Sequence, residues 1–325
     1  MMNNNIKISI AMTTYNGEKY VIKQLESILK QTRKPDEVII CDDGSKDGTI
    51  TLIESFIESN HLDNWFLYQN TPNLGWQKNF FKAASKTTGD IIFFSDQDDI
   101  WKDEKIEVMT QMAIEKKMGA LYAEKTIIDG SDNVLLKRQD KKCYTGSLEE
   151  IKLKKSFFDL KTLGCCMCVN RNVLDTYLKL DFPEGGHDSQ CGRLAVLTSS
   201  LWHLDMPMIN YRIHGNNTSG ISGKASFGQS SQTKRISDIE TTAKWLDKLL
   251  SEFDFDEEKR KLLAGCCNFQ TKRLKYFNND LSVFLLIPDF KHYRNFSMFC
   301  GDIAYKHNLN NFLGTLRWRI ERILK

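Results

Sequence analysis

Three carboxylates lie within four positions of Phe93-Phe94-Ser95-Asp96-Gln97-Asp98-Asp99-Ile100-Trp101, directly after the apolar, β-favouring run Ile91 to Phe94. A buried strand that stops at clustered acids places negative charge at one edge of a sheet. Like charges so close repel, and the arrangement is costly unless a cation neutralises it. Carboxylate oxygens suit magnesium or manganese, ions that commonly carry phosphates. The alternative is a polar turn opening a helix at about Asp103, because acids are favoured near a helix N-terminus. A second cluster, Gly185-Gly186-His187-Asp188, sets a carboxylate behind two glycines that permit close approach of backbone to a ligand. Taken alone, Asp188 also reads as the N-cap of a helix over Ser189–Leu197.

The elements that must position these groups follow from hydrophobic periodicity. Ile6 to Met12 reads as a strand, and about Glu18 to Gln31 places Val21, Leu25, Ile28 and Leu29 on one helical face. Pro35 breaks the chain before a second apolar strand, Glu37 to Cys41, which ends at Asp42-Asp43-Gly44-Ser45. A helix follows Asp47-Gly48 up to about Asn60, then a short strand Trp65 to Tyr68. Asn73-Leu74-Gly75 opens a further helix to about Lys86, ahead of the Ile91–Phe94 strand. Strands alternating with helices of this length imply βαβ units and a parallel sheet, in which ligands bind beyond the carboxyl ends of the strands. Thr13 with Tyr15, Asp42 with Asp43, and Asp96 with Asp98 each end a different strand. Three polar clusters therefore converge on one edge. The first βα turn has neither G-x-G-x-x-G nor G-x-x-x-x-G-K-[ST], so bound phosphates would have to be held through a metal.

Composition sets the class. The 325 residues suffice for one large α/β domain with an appendage. A net charge of +3 is too mild to argue for nucleic acid as a partner. No apolar run follows the opening Met-Met-Asn-Asn-Asn, which argues against a signal peptide, and no window approaches the ~18–20 apolar residues of a membrane span. Nine cysteines without a Cys-x-x-Cys pair read as packed free thiols in a reducing cytosol.

Four stretches then resemble, in order and spacing, the family 2 glycosyltransferases of the GT-A fold. They are Ser9 to Gly17 (Ser-Ile-Ala-Met-Thr-Thr-Tyr-Asn-Gly), Cys41 to Thr49 (Cys-Asp-Asp-Gly-Ser-Lys-Asp-Gly-Thr), Asn73-Leu74-Gly75, and Ser95 to Asp99. The resemblance is close over 6–130, resumes at Gly164 and His187-Asp188, and ends at Tyr211-Arg212-Ile213-His214-Gly215-Asn216-Asn217. Ser-Asp-Gln-Asp-Asp-Ile-Trp, His-Asp and Tyr-Arg-x-His-Gly-Asn-Asn together are similar to the bacterial rhamnosyltransferase-type branch that builds surface polysaccharides.

The resemblance implies a GT-A α/β domain, a mostly parallel sheet flanked by helices, over 1–224, with a helical extension over 225–325. It implies an inverting, metal-dependent transfer of sugar from a nucleotide diphosphate donor, preferably dTDP-rhamnose, onto a glycan or lipid-linked acceptor. A UDP-hexose donor and an inactive glycan-binding or scaffold module are the alternatives. A nucleotidyltransferase is disfavoured, since no Gly-rich loop with a basic residue follows the first strand. By the same resemblance Thr13 and Tyr15 border the base, and Asp42 accepts a hydrogen bond from its ring N–H. Asp43 is left a capping or turn role. Asn73 and Gly75 lie near the donor, Asp96 approaches the ribose and the divalent cation (magnesium or manganese), and Asp98 binds that cation. Gly164 forms a close turn beside the donor sugar, and His214 completes the metal site. Arg212 either neutralises diphosphate or makes a salt bridge. Asp188 becomes the general base, with His187 in place of the Glu that commonly precedes it, in a structural or acceptor-orienting role.

Beyond about residue 225 the resemblance stops. Ser226 to Gln232 reads as a flexible polar loop. Residues 312–325 place Phe312, Leu313, Leu316, Ile320, Ile323 and Leu324 on one arc, ringed by Arg317, Arg319, Arg322 and Lys325. That pattern fits a helix lying on an anionic bilayer or one packed on its own domain. The expected location is cytoplasmic, with the inner face of the cell membrane as a possible peripheral site.

Overall fold

A computed structural model describes residues 6–135, 144–160, 162–214 and 229–307. The chain divides into two compact units, Met1–Leu153 with Leu160–Asn217, and Lys154–Asp159 with Thr218–Lys325. The division thus falls seven residues before the expected boundary, and the short piece 154–159 belongs to the second unit.

The first unit runs β1 (Ile8–Thr14), α1 (Val21–Leu29), β2 (Glu37–Asp42), α2 (Thr49–Ser59), β3 (Trp65–Gln69), α3 (Trp76–Ser85) and β4 (Ile91–Ser95). It continues with β5 (Ile100–Trp101), α4 (Lys105–Glu115), β6 (Ala120–Ile128), β7 (Leu148–Glu150), β8 (Met167–Asn170), α5 (Arg171–Leu180), α6 (His187–Leu197) and β9 (Leu201–Arg212). The strand order is β3-β2-β1-β4-β8-β6-β9-β5, with β7 beside β9. β3, β2, β1 and β4 are all parallel. Every residue of β1, β2 and β4 is buried, which is why these strands read as continuous apolar runs: helices cover both faces. The register pairs Thr14 with Asp42 and Met12 with Ser95, so the carboxyl ends of three strands come level. Beyond β4 the sheet turns mixed, because β8 runs antiparallel to both β4 and β6.

Tyr211 and Arg212 close the twelve-residue strand β9, opposite Ile127 and Ile128 of β6. α6 begins at His187 rather than Ser189, with Gly186 before it at φ +76°, so Asp188 lies in the first turn and is not the N-cap.

The second unit contains α7 (Gln229–Glu252), α8 (Glu257–Phe277), a 3-10 stretch Val283–His292 and α9 (Phe296–Lys306). From Gln229 onward the segment expected to be a flexible loop is therefore helical. Ile239, Tyr276, Phe277 and Leu286 form a buried cluster of this unit. The amphipathic pattern over 312–325 and residues Gly215 to Asn217 lie outside the described residues.

Candidate active site

The end of β2 is held by its own carboxylates. Asp42 is fully buried, and its two oxygens accept from Thr14 Oγ1 (2.7 Å), Gly44 N (3.0 Å), Ser45 N (2.7 Å) and Ser45 Oγ (2.6 Å). A carboxylate has about four acceptor positions, and all are taken. Asp42 therefore organises the turn. Asp43 has the turn role read for it, accepting from Asn70 Nδ2 (2.9 Å), Leu74 N (2.8 Å) and Gly75 N (2.8 Å). Asn73 completes this clasp, donating from Nδ2 to the Asp43 carbonyl at 2.7 Å. The result is a fixed turn, with Gly75 at φ +80° where a side chain would strain the backbone. Thr13 is buried at the end of β1, whereas the ring of Tyr15 is 49% exposed. Gln97 stitches Tyr15 to the acid cluster, its Oε1 accepting from Tyr15 N (2.8 Å) and its Nε2 donating to the Tyr15 carbonyl (2.9 Å).

After β4 the chain brings its acids together. Burial, then the neighbouring charges of Asp99, Asp98 and Asp188, push the Asp96 carboxyl well above the usual carboxylate range. Burial and Asp98 push Asp99 up to about 8. Asp98 and His214 meet directly, Oδ2 to Nε2 at 2.7 Å, each side chain slightly exposed. Two ligands on one magnesium or manganese ion at about 2.1 Å, a right angle apart, stand about 3 Å from each other. A carboxylate oxygen beside an imidazole nitrogen at that spacing fits such a cation.

Another trio, Asp96, Asp99 and Cys165, also has its ligand atoms within 4.8 Å of one another. Its chemistry fits less well: a hydrogen bond with Cys166 and burial push the Cys165 thiol well up, which keeps it protonated, and a protonated thiol is a poor ligand. Arg212 does not present its guanidinium to a ligand. Wholly buried, it donates from Nε to the Asp98 carbonyl (2.7 Å) and from Nη1 to the Asp129 carbonyl (3.1 Å), and it ion-pairs with Asp132. Its backbone N–H donates to Asp99 Oδ1 at 3.0 Å. The salt-bridge reading of Arg212 is the one realised, because its place in a paired strand draws the side chain inward.

Asp188 projects from the first turn of α6 into the same acid group. Burial raises its carboxyl, against the lowering effect of the Ser189 N–H, which donates to Oδ1 at 2.7 Å. The positive charge of Arg193 and a hydrogen bond from the Ser189 side chain also lower it. His187 turns away into an aromatic box, with ring centroids 3.9 Å from Phe80 and 4.3 Å from Phe94. Burial there pushes its imidazole down to about 3, so the ring is neutral at any working pH and carries no proton to the reaction. Gly164 is needed for this packing, since a Cβ would stand 2.0 Å from His187 Nε2. The glycine thus makes room for the histidine.

Sequence reasoning missed Trp76. It opens α3, is 44% exposed, and its ring lies 3.0 Å from where a Cβ on Gly186 would sit, two residues before Asp188. Its one available signal was a large aromatic placed next to polar Gln77 and Lys78 directly after a glycine turn. Lys105 was missed as well: fully buried, its Nζ donates to the Cys165 carbonyl (2.5 Å) and lies 3.7 Å over the Trp101 ring.

The family model described as glycosyl transferase family 2 matches residues 9–178. An uncharacterized glycosyltransferase of Nostoc sp. is 25% identical over 283 residues, 85% of this chain and 84% of that one. The dTDP-rhamnosyl transferase RfbG of Shigella flexneri is 28% identical over 236 residues, 66% of this chain and 76% of its own. Among solved structures, S. aureus TarS 1–349 in complex with UDP-GlcNAc superposes with a TM-score of 0.55 at 16% identity, covering 93% of this chain and 92% of that one. That likeness is one of fold. The family match ends ten residues before Asp188, so Asp188 and His214 are read on geometry and on the motifs that contain them.

Proposed function

The chain belongs to glycosyl transferase family 2 and has the GT-A fold, and from that premise we propose that it is an inverting, metal-dependent transferase of sugar from a nucleotide diphosphate donor. The carrying observation is Asp188: a carboxylate of raised pKa next to Asp96 in a cluster of acids. A general base works best with its pKa near the operating pH, and burial moves Asp188 in that direction. The acceptor hydroxyl gives its proton to Asp188 as its oxygen bonds to the anomeric carbon, and the bond from that carbon to the diphosphate oxygen breaks. Attack opposite the leaving group inverts the anomeric centre. Asp98 and His214 would hold the cation, which when bound neutralises the departing diphosphate. The exposed rings of Tyr15 and Trp76 provide flat apolar faces for the base and the acceptor respectively.

The preferred donor is dTDP-rhamnose, supported by the motif resemblance and by the similarity to RfbG; the acceptor class is a glycan or lipid-linked oligosaccharide of bacterial surface polysaccharide. Consumption of dTDP-rhamnose, UDP-glucose and UDP-GlcNAc by purified protein, with manganese and with excess chelator, tests both parts. Turnover of dTDP-rhamnose alone, abolished by chelator, is expected. Equal turnover in chelator overturns the metal assignment, and consumption of a UDP-hexose alone overturns the donor.

A further inference from the structure

Five of the twelve exposed large hydrophobic side chains among the described residues fall within thirteen positions of the second unit: Phe284, Leu285, Ile287, Phe290 and Phe296. Phe284 is 73% exposed and Phe296 65%. The 3-10 stretch Val283–His292 explains how they come to face outward. Leu286 and His292 are buried and anchor the stretch, while Phe284, Leu285, Ile287 and Phe290 are exposed. Phe290, Phe296 and Phe299 are in mutual ring contact at 5.7–6.2 Å, so the aromatic part is one continuous surface. Isolated exposed hydrophobics need no explanation, but a contiguous apolar surface does.

Charge identifies what would cover it. Lys291 and Arg294 are exposed within the same thirteen positions, and the acid between the apolar residues, Asp289, is already paired with Lys272 at 2.6 Å. The described residues 271–307 hold six Lys and Arg against three Asp and Glu, a net of +3 that equals the whole chain's. The rest of the chain is therefore balanced, and the net positive charge falls in the stretch that carries the patch. Exposed apolar side chains interspersed in sequence with exposed lysine and arginine match the interface of an anionic bilayer: rings and aliphatic chains enter the acyl boundary while the cations meet headgroups.

We propose that Phe284, Leu285, Ile287 and Phe296, with Lys291 and Arg294, form a docking surface for an anionic lipid bilayer. This surface requires no donor, metal or acceptor. The full-length protein is sedimented with vesicles of phosphatidylglycerol and phosphatidylcholine in equal parts, and with phosphatidylcholine alone. Wild type is expected to partition onto the anionic vesicles and to be released as salt rises. F284E/L285E, in exposed positions, should bind about tenfold more weakly or worse with an unchanged thermal melt. K291E/R294E should also weaken binding and flatten its salt dependence, which keeps the test open if the first variant misfolds. Wild-type sedimentation with neither vesicle, or F284E/L285E binding like wild type, overturns the proposal. So does light scattering that shows a wild-type dimer dissociated by F284E/L285E without vesicles, which would make the patch an interface between copies.

Discussion

Asp302 in the second unit and Asp99 in the first are both shut away from water, yet they sit in opposite electrostatic situations. Asp302 accepts from Arg235 Nε (2.6 Å), Arg273 Nε (2.8 Å), Arg273 Nη2 (2.9 Å) and Tyr293 Oη (2.8 Å). Burial alone would raise its carboxyl, but the two guanidiniums hold it below the usual range. Asp99 accepts a backbone N–H on one oxygen and has other carboxylates as neighbours, and it is pushed up to about 8. Among the described residues no arginine or lysine side chain hydrogen-bonds to the carboxylates of Asp96, Asp99 or Asp188. A buried acid matched by cations ties helices together. Buried acids left unmatched cost stability and make sense where a cation and a reacting proton arrive with the substrate.

The largest effect that would sharpen this contrast is Asp302→Ala, which strands two guanidiniums and should cost about 3–5 kcal/mol in chemical denaturation. The sign with pH follows from the lowered carboxyl: its contribution is present above the unfolded value of about 4 and is lost as pH falls through the folded value. A loss under about 1 kcal/mol would mean the pairing is not structural. Next in size, Asp98→Asn and His214→Ala should each weaken manganese binding in the presence of donor nucleotide by about tenfold or more, read by calorimetry. Unchanged affinity in both would move the cation elsewhere. The smallest effect has the opposite sign to the first. Asp99 has a raised carboxyl, so its favourable contribution exists below about pH 4 and is lost as pH rises toward about 8. Asp99→Asn should remove that slope and raise ligand-free stability at neutral pH by on the order of 1–2 kcal/mol. Destabilisation by Asp99→Asn would erase the difference between the two regions.

Much of the catalytic edge was legible in the sequence, for a physical reason. Strands buried on both faces of a parallel sheet must be continuous apolar runs, so β1, β2 and β4 announce themselves, and the polar residues that end them mark the ligand edge. The mixed half was not legible, because β8, antiparallel to its neighbours, and β9, parallel to β6 but antiparallel to β5 and β7, follow no repeated βα spacing. Residue roles were less legible than residue places. Asp42 and Asp43 are adjacent and alike, and only the partners supplied by Thr14, Ser45, Asn70 and Gly75 reveal that both serve the turn. Arg212 read equally as a diphosphate ligand or a salt-bridge partner, and strand pairing turns it inward. The neutrality of His187 depends on Phe80, Phe94 and Gly164, which lie from 23 to 107 residues away in sequence and so leave no local trace.

The central claim is that the unmatched acids perform chemistry, and Asp188 tests it most directly. Asp188→Asn keeps the shape and the Ser189 contact but cannot take a proton. Its kcat should fall by about 10²–10⁴, while donor dissociation stays within a few-fold of wild type. The wild-type pH profile should show kcat rising with pH on an acid limb above the ordinary carboxylate value of about 4, reflecting the raised carboxyl. Near-native turnover in a folded Asp188→Asn would contradict the claim, as would a loss explained wholly by weakened donor binding.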